Sequence, residues 1–323
     1  MDNNKKILVT GGTGLIGNNL IPHLLKNEKP SRLVCLSNGG LIEKFQPFKN
    51  EITTVQGDIN DYSFVDSIIN HYQINYIYHL AAETQVDSSN KSPLRCLETN
   101  IIGTANILES AKQNHVKGVI AMSSDKYYGR ASDVPYPEDL KPDPTGVYEV
   151  SKTCSDQICH VFGKNFGVPV ISIRGCNIFG PGDRNFSRIV PNSIRRMTQG
   201  QNPMLWSDVK DYIREFIYVE DAINILTKLM DVTDENRGES VNMGVGFVIR
   251  VEDFISLMIK HFDGINEIDI AEKEQHFNEI ENQSLDLCKL KKMIGGSFIS
   301  SSRTINDIDG CLGETVEYYK KIF

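Results

Sequence analysis

Residues 7–17 read Ile7-Leu8-Val9-Thr10-Gly11-Gly12-Thr13-Gly14-Leu15-Ile16-Gly17. Four apolar or β-branched residues run into three glycines spaced G-x-x-G-x-x-G, and Leu15–Leu25 continues with helical periodicity. This is the form of a first strand feeding a first helix through a phosphate-binding turn. Gly11 permits the tight turn, and Gly14 lets backbone N–H groups, those of Thr13, Leu15 and Ile16 among them, approach a pyrophosphate. Gly17 lets helix and strand pack closely.

Outward from this turn, apolar runs and helical patterns alternate. Strands are expected at Lys6–Thr10, Arg32–Leu36, Ile52–Val55, Tyr76–Leu80, Val119–Met122 and Val170–Arg174, and helices at Tyr62–His71, Pro93–Asn114 and Val147–Asn165. That rhythm predicts right-handed crossovers and an α/β fold with a doubly wound parallel sheet. After Gly175 the alternation weakens. A helix is expected at Ile189–Gln199, an extended stretch to Trp206, a strand at Phe216–Val219, a helix at Asp221–Met230, a strand at Val241–Met243 and a helix at Val251–His261; the remainder is charged and mixed. The expected division is a cofactor domain over 1–175, with segments near 215–245 returning to it, and a smaller discontinuous lobe over 176–323.

The chain has 323 residues, 40% hydrophobic and 24% charged, with a net charge of −8. A chain of this size buries roughly three quarters of its unfolded surface and needs no disulfide or metal to fold. The negative charge argues against binding nucleic acid through bulk basic charge and against adsorption on an anionic membrane. No run approaches the roughly 18 apolar residues of a membrane span. The seven cysteines are scattered without a CxxC pair, which is expected of reduced thiols in the cytoplasm, and no His/Cys cluster has metal-ligand spacing.

The second strand ends Cys35-Leu36-Ser37-Asn38, with neither a carboxylate for a ribose 2′-hydroxyl nor an arginine for a 2′-phosphate. Ser37 and Asn38 suit a free ribose, which favours NAD over NADP. Asp58, beside Ile59, can accept from the adenine amino group or simply close a turn. Leu80, Ala81 and Ala82 leave room for the cofactor, while His79 reads as a satisfied core histidine. Tyr148 and Lys152 stand at i and i+4 at the start of a helix. An ammonium beside a phenol favours the phenolate, which can take a proton from an alcohol as hydride leaves its carbon. Ser124 supplies a hydroxyl at the carboxyl edge of the sheet, where ligands bind in such folds.

These features together resemble an extended short-chain dehydrogenase/reductase of the NAD-dependent nucleotide-sugar epimerase/dehydratase type. The resemblance rests on the Gly-rich turn, Gly57-Asp58, His79-Leu80-Ala81-Ala82, Thr99-Asn100 with Gly103-Thr104, the serine strand and the Tyr/Lys pair. It extends through Arg174, Asn177 with Gly180-Pro181-Gly182, and Arg214–Asp221. It implies a Rossmann-type sheet, a nucleoside diphosphate sugar substrate, a homodimer formed through the Pro93–Asn114 and Val147–Asn165 helices, and a place in polysaccharide biosynthesis. Asp125-Lys126 after the catalytic serine resembles the CDP-glucose 4,6-dehydratase branch, as does Ser37, whereas Gly180–Arg184 and Arg214–Val219 have the general family form.

The dehydratase chemistry implied is oxidation at C4, elimination of water across C5 and C6, and hydride return to C6. Tyr148 would deprotonate the 4-hydroxyl, Ser124 would bond its oxygen, Lys126 would take the C5 proton, and Asp125 would protonate the departing 6-hydroxyl. Asp125 would need burial to stay protonated, and Lys126 a desolvated or cationic setting to act as a base. Arg214 is the expected pyrophosphate anchor, with Asn177 and Arg188 as further candidates; Arg195-Arg196 reads as a solvated helix face. Two other functions stay open: a nucleotide-sugar 4-epimerase or C4 dehydrogenase, which would not need Asp125, and a non-catalytic NAD(P)-binding protein. The nucleotide and the sugar are not named by these residues.

Overall fold

The computed structural model describes residues 4–39, 42–131, 134–272, 280–295 and 305–323. In chain order the first part runs β1 (Lys6–Thr10), α1 (Leu15–His23), β2 (Arg32–Ser37), β3 (Thr53–Gln56), α2 (Tyr62–His71), β4 (Tyr76–His79), α3 (Val86–Lys91), α4 (Pro93–Leu97), α5 (Gly103–Gln113), β5 (Gly118–Met122), α6 (Val147–Phe166) and β6 (Val170–Gly175). There follow β7 (Asn177–Phe179), α7 (Ile189–Thr198), β8 (Met204–Trp206), β9 (Ile213–Tyr218), α8 (Val219–Met230), β10 (Glu239–Met243), β11 (Val248–Arg250), α9 (Val251–Ile259), β12 (Asp269–Ala271), α10 (Cys288–Ile294) and α11 (Ile305–Lys320).

The chain divides into two compact units. The first comprises residues 1–127, 144–174 and 223–241, and the second 128–143, 175–222 and 242–323. A first domain over 1–175, with segments near 215–245 returning to it, was expected. The segment 128–143 instead belongs to the second unit, and 223–241 returns to the first.

The first unit is built on a seven-stranded sheet of order β10-β6-β5-β4-β1-β2-β3, a Rossmann-type arrangement. Its central pairs are parallel: β1 runs beside β2 (Ile7 opposite Leu33) and beside β4 (Thr10 opposite His79). The strand order therefore reverses between β1 and β4, so the chain diverges there and opens a crevice at their carboxyl ends. Strands buried on both faces are mainly apolar: β5 throughout, and β1 and β2 between their polar end residues, while β6 also carries the buried Ser172 and Arg174. Leu8, Val34, Ile77 and Val119 of the sheet pack against Val65, Ile69, Ile107 and Leu108 of the helices. Each such side chain contributes about 1.5–3 kcal/mol by leaving water.

Helix ends carry the signals expected of them. Asp61 caps α2 by accepting from the Phe64 amide at 3.0 Å. Glu149 folds back to accept from the Thr145 and Gly146 amides at 2.8 and 3.0 Å, which fixes the start of α6. Gly167, at φ 71°, closes its end. One expectation needs correction. Pro93–Asn114 is not a single regular α-helix, because a π-turn at Glu98–Ile102 separates α4 from α5.

In the second unit β9 lies between β7, parallel to it, and β11, antiparallel to it, and β8 pairs with β12. Helices α7, α9 and α11 pack on one another. Phe216 and Phe254 stack with centroids 3.8 Å apart, and Phe179 meets Phe254 edge-on. No disulfide joins any of the seven cysteines. Among the described residues no helix is long and apolar enough to cross a membrane, and no cluster of His, Cys, Asp and Glu could hold a metal ion.

Two glycine-to-alanine changes should have opposite signs. A Cβ on Gly17 would lie 2.5 Å from the Gly12 Cα, which is backbone and cannot swing away. Gly17→Ala should therefore cost about 1–3 kcal/mol. Gly310, inside α11, has open space around it, and Gly310→Ala should add roughly 0.5–1 kcal/mol. Urea unfolding of both variants checks the signs.

Candidate active site

The site residues of the first unit are set by the carboxyl ends of β1, β4 and β5 and by the first turns of α6. At the end of β1, Gly11 adopts φ +67° and donates to the Leu36 carbonyl at 3.0 Å. A Cβ there would stand 2.7 Å from the Ala81 nitrogen, so only glycine allows the two backbones to pass. Gly14 begins α1 with no side-chain cap, and the first turn of α1 carries no acidic residue. A helix start with uncapped N–H groups and no competing carboxylate favours an anion, which is the fit a dinucleotide pyrophosphate requires.

Around this turn Thr13 and Ser37 approach each other, their hydroxyls 3.4 Å apart, and Ser37 donates to the Gly39 carbonyl. Asp58 is exposed, and one of its oxygens accepts from the Asn60 amide at 3.0 Å, so it closes a turn as well as standing at the expected place. The Ile59 side chain lies in the core against Gly103. Leu80, Ala81 and Ala82 are half-buried after β4.

His79 is a satisfied core histidine. Thr104 donates its proton to the Asn100 carbonyl at 2.6 Å, so it can only accept from His79 Nε2, 3.1 Å away. Nδ1 is then the acceptor of the Thr10 hydroxyl at 2.8 Å, and Thr10 in turn accepts from the Ala81 amide. Burial, with the Lys152 charge second, pushes the imidazole down to about 3 and keeps it neutral. The network continues through Asn100. Its side chain accepts from the Glu83 amide and donates to the Ser151 hydroxyl, and Ser151 donates to the Tyr148 carbonyl at 2.7 Å. The π-turn at Glu98–Ile102 places Asn100 there.

The Tyr/Lys pair lies at the start of α6. Tyr148 is half-buried. Lys152 is 5% exposed, and its ammonium donates to the Met122 carbonyl at 2.7 Å, at the end of β5. Burial pulls its pKa down to about 8. Ser123 ties the same strand end to α6 by donating to the Lys152 carbonyl. Next to it, Ser124 donates to Asp125 at 3.2 Å and accepts from the Lys126 amide. Ser124 and Asp125 are both buried, and Lys126 is half-buried. Burial raises the pKa of the neighbouring Tyr127 phenol.

The remaining predicted residues lie in the second unit. Arg214 is buried, and its Nη1 donates to the Ile213 and Glu281 carbonyls. Arg188 pairs with the buried Asp183 at 3.1 Å. Asn177 donates to the Glu215 carbonyl. The residues that sequence reasoning treated only as part of a resemblance or passed over are Asn100, Ser151, Asp156 and Tyr127. Their signal was a set of polar residues on otherwise buried faces.

The buried lysine has a thermodynamic consequence. Its folded pKa of about 8 lies below the ordinary 10.5, so the unfolded chain binds more protons between those pH values. The penalty is full below pH 8 and is relieved as pH rises toward 10.5. Lys152→Met should therefore stabilise the protein at pH 7 by on the order of 3 kcal/mol while abolishing turnover. Melting curves of both proteins between pH 7 and 10.5 should converge.

The model of the NAD dependent epimerase/dehydratase family matches residues 7–244. The chain is 30% identical over 267 residues to the dTDP-glucose 4,6-dehydratase of Salmonella typhimurium, covering 74% of this chain and 72% of that one. It is 29% identical over 301 residues to the UDP-N-acetyl-α-D-glucosaminuronate decarboxylase of Bacillus cytotoxicus, covering 90% and 91%. The crystal structure of UDP-glucose 4-epimerase from Thermotoga maritima, with UDP-glucose, matches at a TM-score of 0.86 and 26% identity over 98% of this chain and 99% of that one.

Proposed function

Since the chain belongs to the NAD dependent epimerase/dehydratase family, with NAD as its cofactor, we propose that it is a nucleotide-sugar 4,6-dehydratase acting in the cytoplasm on a nucleoside diphosphate hexose. The observation that carries this reading is the buried Asp125, hydrogen-bonded to the catalytic serine's side chain and followed by Lys126. Oxidation at C4 alone needs neither residue. Elimination needs both an acid for the 6-oxygen and a base for the C5 proton.

Each residue's role follows from its setting. Gly11, Thr13, Gly14, Leu15, Ile16 and Gly17 hold the pyrophosphate, while Ser37, Asp58, Ile59, Leu80, Ala81 and Ala82 line the rest of the cofactor site. When bound, NAD supplies the hydride acceptor at C4 and the donor at C6. Tyr148 takes the proton of the 4-hydroxyl, and the Lys152 ammonium favours its phenolate. Ser124 donates to the oxygen at C4, and the ketone formed there acidifies C5–H. Lys126 removes that proton and returns it to C5 once C6 has received its hydride, and Asp125 protonates the departing 6-oxygen. Arg214, Arg188 and Asn177 are assigned to the nucleoside diphosphate.

The test is a panel of CDP-, dTDP-, UDP- and GDP-hexoses analysed by mass and NMR. Loss of water with a 4-keto-6-deoxy product supports the reading. Asp125→Asn should then lower elimination by about 10²-fold, and Tyr148→Phe should abolish the reaction. The likeness to the 4-epimerase favours a second reading, epimerisation or C4 oxidation alone. A mass-neutral inversion, a product stopped at the 4-ketone, or loss of carbon dioxide from a uronic sugar would overturn the dehydratase.

A homodimer is also proposed. Leu94 and Ile102 are 67% and 50% exposed on the helical run from Pro93, and Val150, Val161 and Phe166 are exposed on α6. Size-exclusion chromatography with light scattering should give twice the 36.3 kDa chain mass. The Leu94→Glu/Ile102→Glu double variant should elute as a monomer.

A further inference from the structure

Arg174 and Asp156 form a buried ion pair that the chemistry above does not use. Asp156 stands one helical turn beyond Lys152 on α6, and Arg174 lies near the end of β6. The pair is 2.7 Å between Arg174 Nη2 and Asp156 Oδ2, with Nε 3.3 Å from Oδ1, and the two side chains are 4% and 1% exposed. The carboxylate is satisfied further by the hydroxyls of Ser172 at 2.6 Å and Ser240 at 3.0 Å. A carboxylate with four donors is held in one place.

The guanidinium lies 3.5 Å from the centroid of the Tyr127 ring, the geometry of a cation–π contact. The Tyr127 hydroxyl accepts from Gln157 Nε2 at 3.2 Å, and Gln157 is the next residue along α6. Tyr127 is 4% exposed and belongs to the 3-10 turn Asp125–Tyr128. Its amide donates to the Ser124 carbonyl at 3.1 Å, so the ring and the backbone of the turn move together. The helix that carries Tyr148 and Lys152 thus grips, through Arg174 and directly through Gln157, the turn that carries Asp125 and Lys126, while Ser124 follows Ser123, which is anchored separately to the Ile173 and Lys152 carbonyls.

We propose that Asp156, Arg174 and Tyr127 are positioning residues that hold the Asp125–Lys126 turn in register with the Tyr148/Lys152 helix, coupling elimination to oxidation. The proposal rests on the dehydratase reading for its kinetic consequence. Tyr148 and Lys152 are fixed by their own helix and by the Met122 carbonyl, so loosening the clamp leaves oxidation at C4 nearly intact. Asp125 and Lys126 sit on the clamped turn, and a displacement of about 1 Å there costs on the order of 10²-fold in the step they perform.

The test uses the full chain with NAD and the hexose nucleotide that the wild type dehydrates. In single turnover, Tyr127→Leu should slow formation of the 4-keto-6-deoxy product about 100-fold while oxidation at C4 changes less than about threefold. The near-ultraviolet absorbance of reduced nicotinamide would then accumulate. Tyr127→Phe, which keeps the ring for Arg174, should restore most of the coupling. Asp156→Asn leaves a buried arginine unpaired and can fail to fold, which is why Tyr127 is the primary site. A second readout needs no substrate: hydrogen exchange at the Lys126 and Tyr127 amides should speed up in Tyr127→Leu, with β5 and α6 still protected. Equal slowing of both steps, or unchanged protection of the turn, would overturn the clamp. A wild type that never eliminates water would instead overturn the dehydratase reading, and the exchange measurement would still decide the clamp.

Discussion

The passage of one backbone over another at the end of β1 is the constraint on which the rest of the first unit depends. Gly11 must take a left-handed φ with Ala81 against its α-carbon, because β1 and β4 are neighbours whose continuations leave in opposite directions. A side chain there would force the strands apart. Gly17 repeats the requirement one helical turn on, where α1 rests on Gly12. Close packing at these two points leaves the uncapped start of α1 directed at the crevice of the switch point, and the family's cofactor chemistry follows from that geometry.

Onto this frame the fold places charges that water would otherwise dominate. Lys152 is buried with its ammonium on a backbone carbonyl, and Asp156 and Arg174 are buried against each other a turn away. Burying such groups costs stability unless their hydrogen bonds are complete, and here the bonds run between elements rather than within them. Lys152 joins α6 to β5, Asp156 joins α6 to β6 through Arg174 and Ser172, and Asn100 joins the π-turn to α6 through Ser151. Fixed dipoles and charges of this kind need no rearrangement when charge develops on a substrate, which is the main electrostatic advantage a protein site has over water.

How much of this could be read from sequence depended on whether the cause was local. Strand β1 and helix α2 have the bounds that their apolar patterns predict. The Gly-rich turn, the serine strand end and the Tyr/Lys spacing were legible because each is a short motif with its own chemistry. The π-turn at Glu98–Ile102 was not, since no proline or glycine marks it and Asn100's partners are Glu83 and Ser151, far away in sequence. Helix α11 was hidden by Gly310 and Gly313; burial of Ile308, Leu312, Val316 and Tyr319 overrides their low helix propensity. Arg214, expected as a pyrophosphate anchor, and Glu215 are both buried in β9, which starts before the strand expected from Phe216. The return of 223–241 to the first unit was expected, whereas the passage of 128–143 to the second is a matter of non-local contacts that no pattern in that segment announces.

The comparisons place dehydratase, decarboxylase and epimerase on one fold at about the same distance from this chain, and the site shows why that is physically reasonable. On the proposed reading, oxidation at C4 needs only what α6 and the end of β5 supply: a phenol, an ammonium to polarise it, and a hydroxyl opposite. These are held by bonds to backbone, such as Lys152 to Met122 and Ser151 to Tyr148, which survive most changes of side chain. On the same reading the fate of the ketone is set by the residues after Ser124, which lie on a one-turn 3-10 segment rather than in the sheet. A reaction can therefore change with two side chains of that turn, provided the turn stays where the oxidising pair needs it. The proposed clamp would meet that provision through Tyr127, whose ring and hydroxyl are held from β6 and α6.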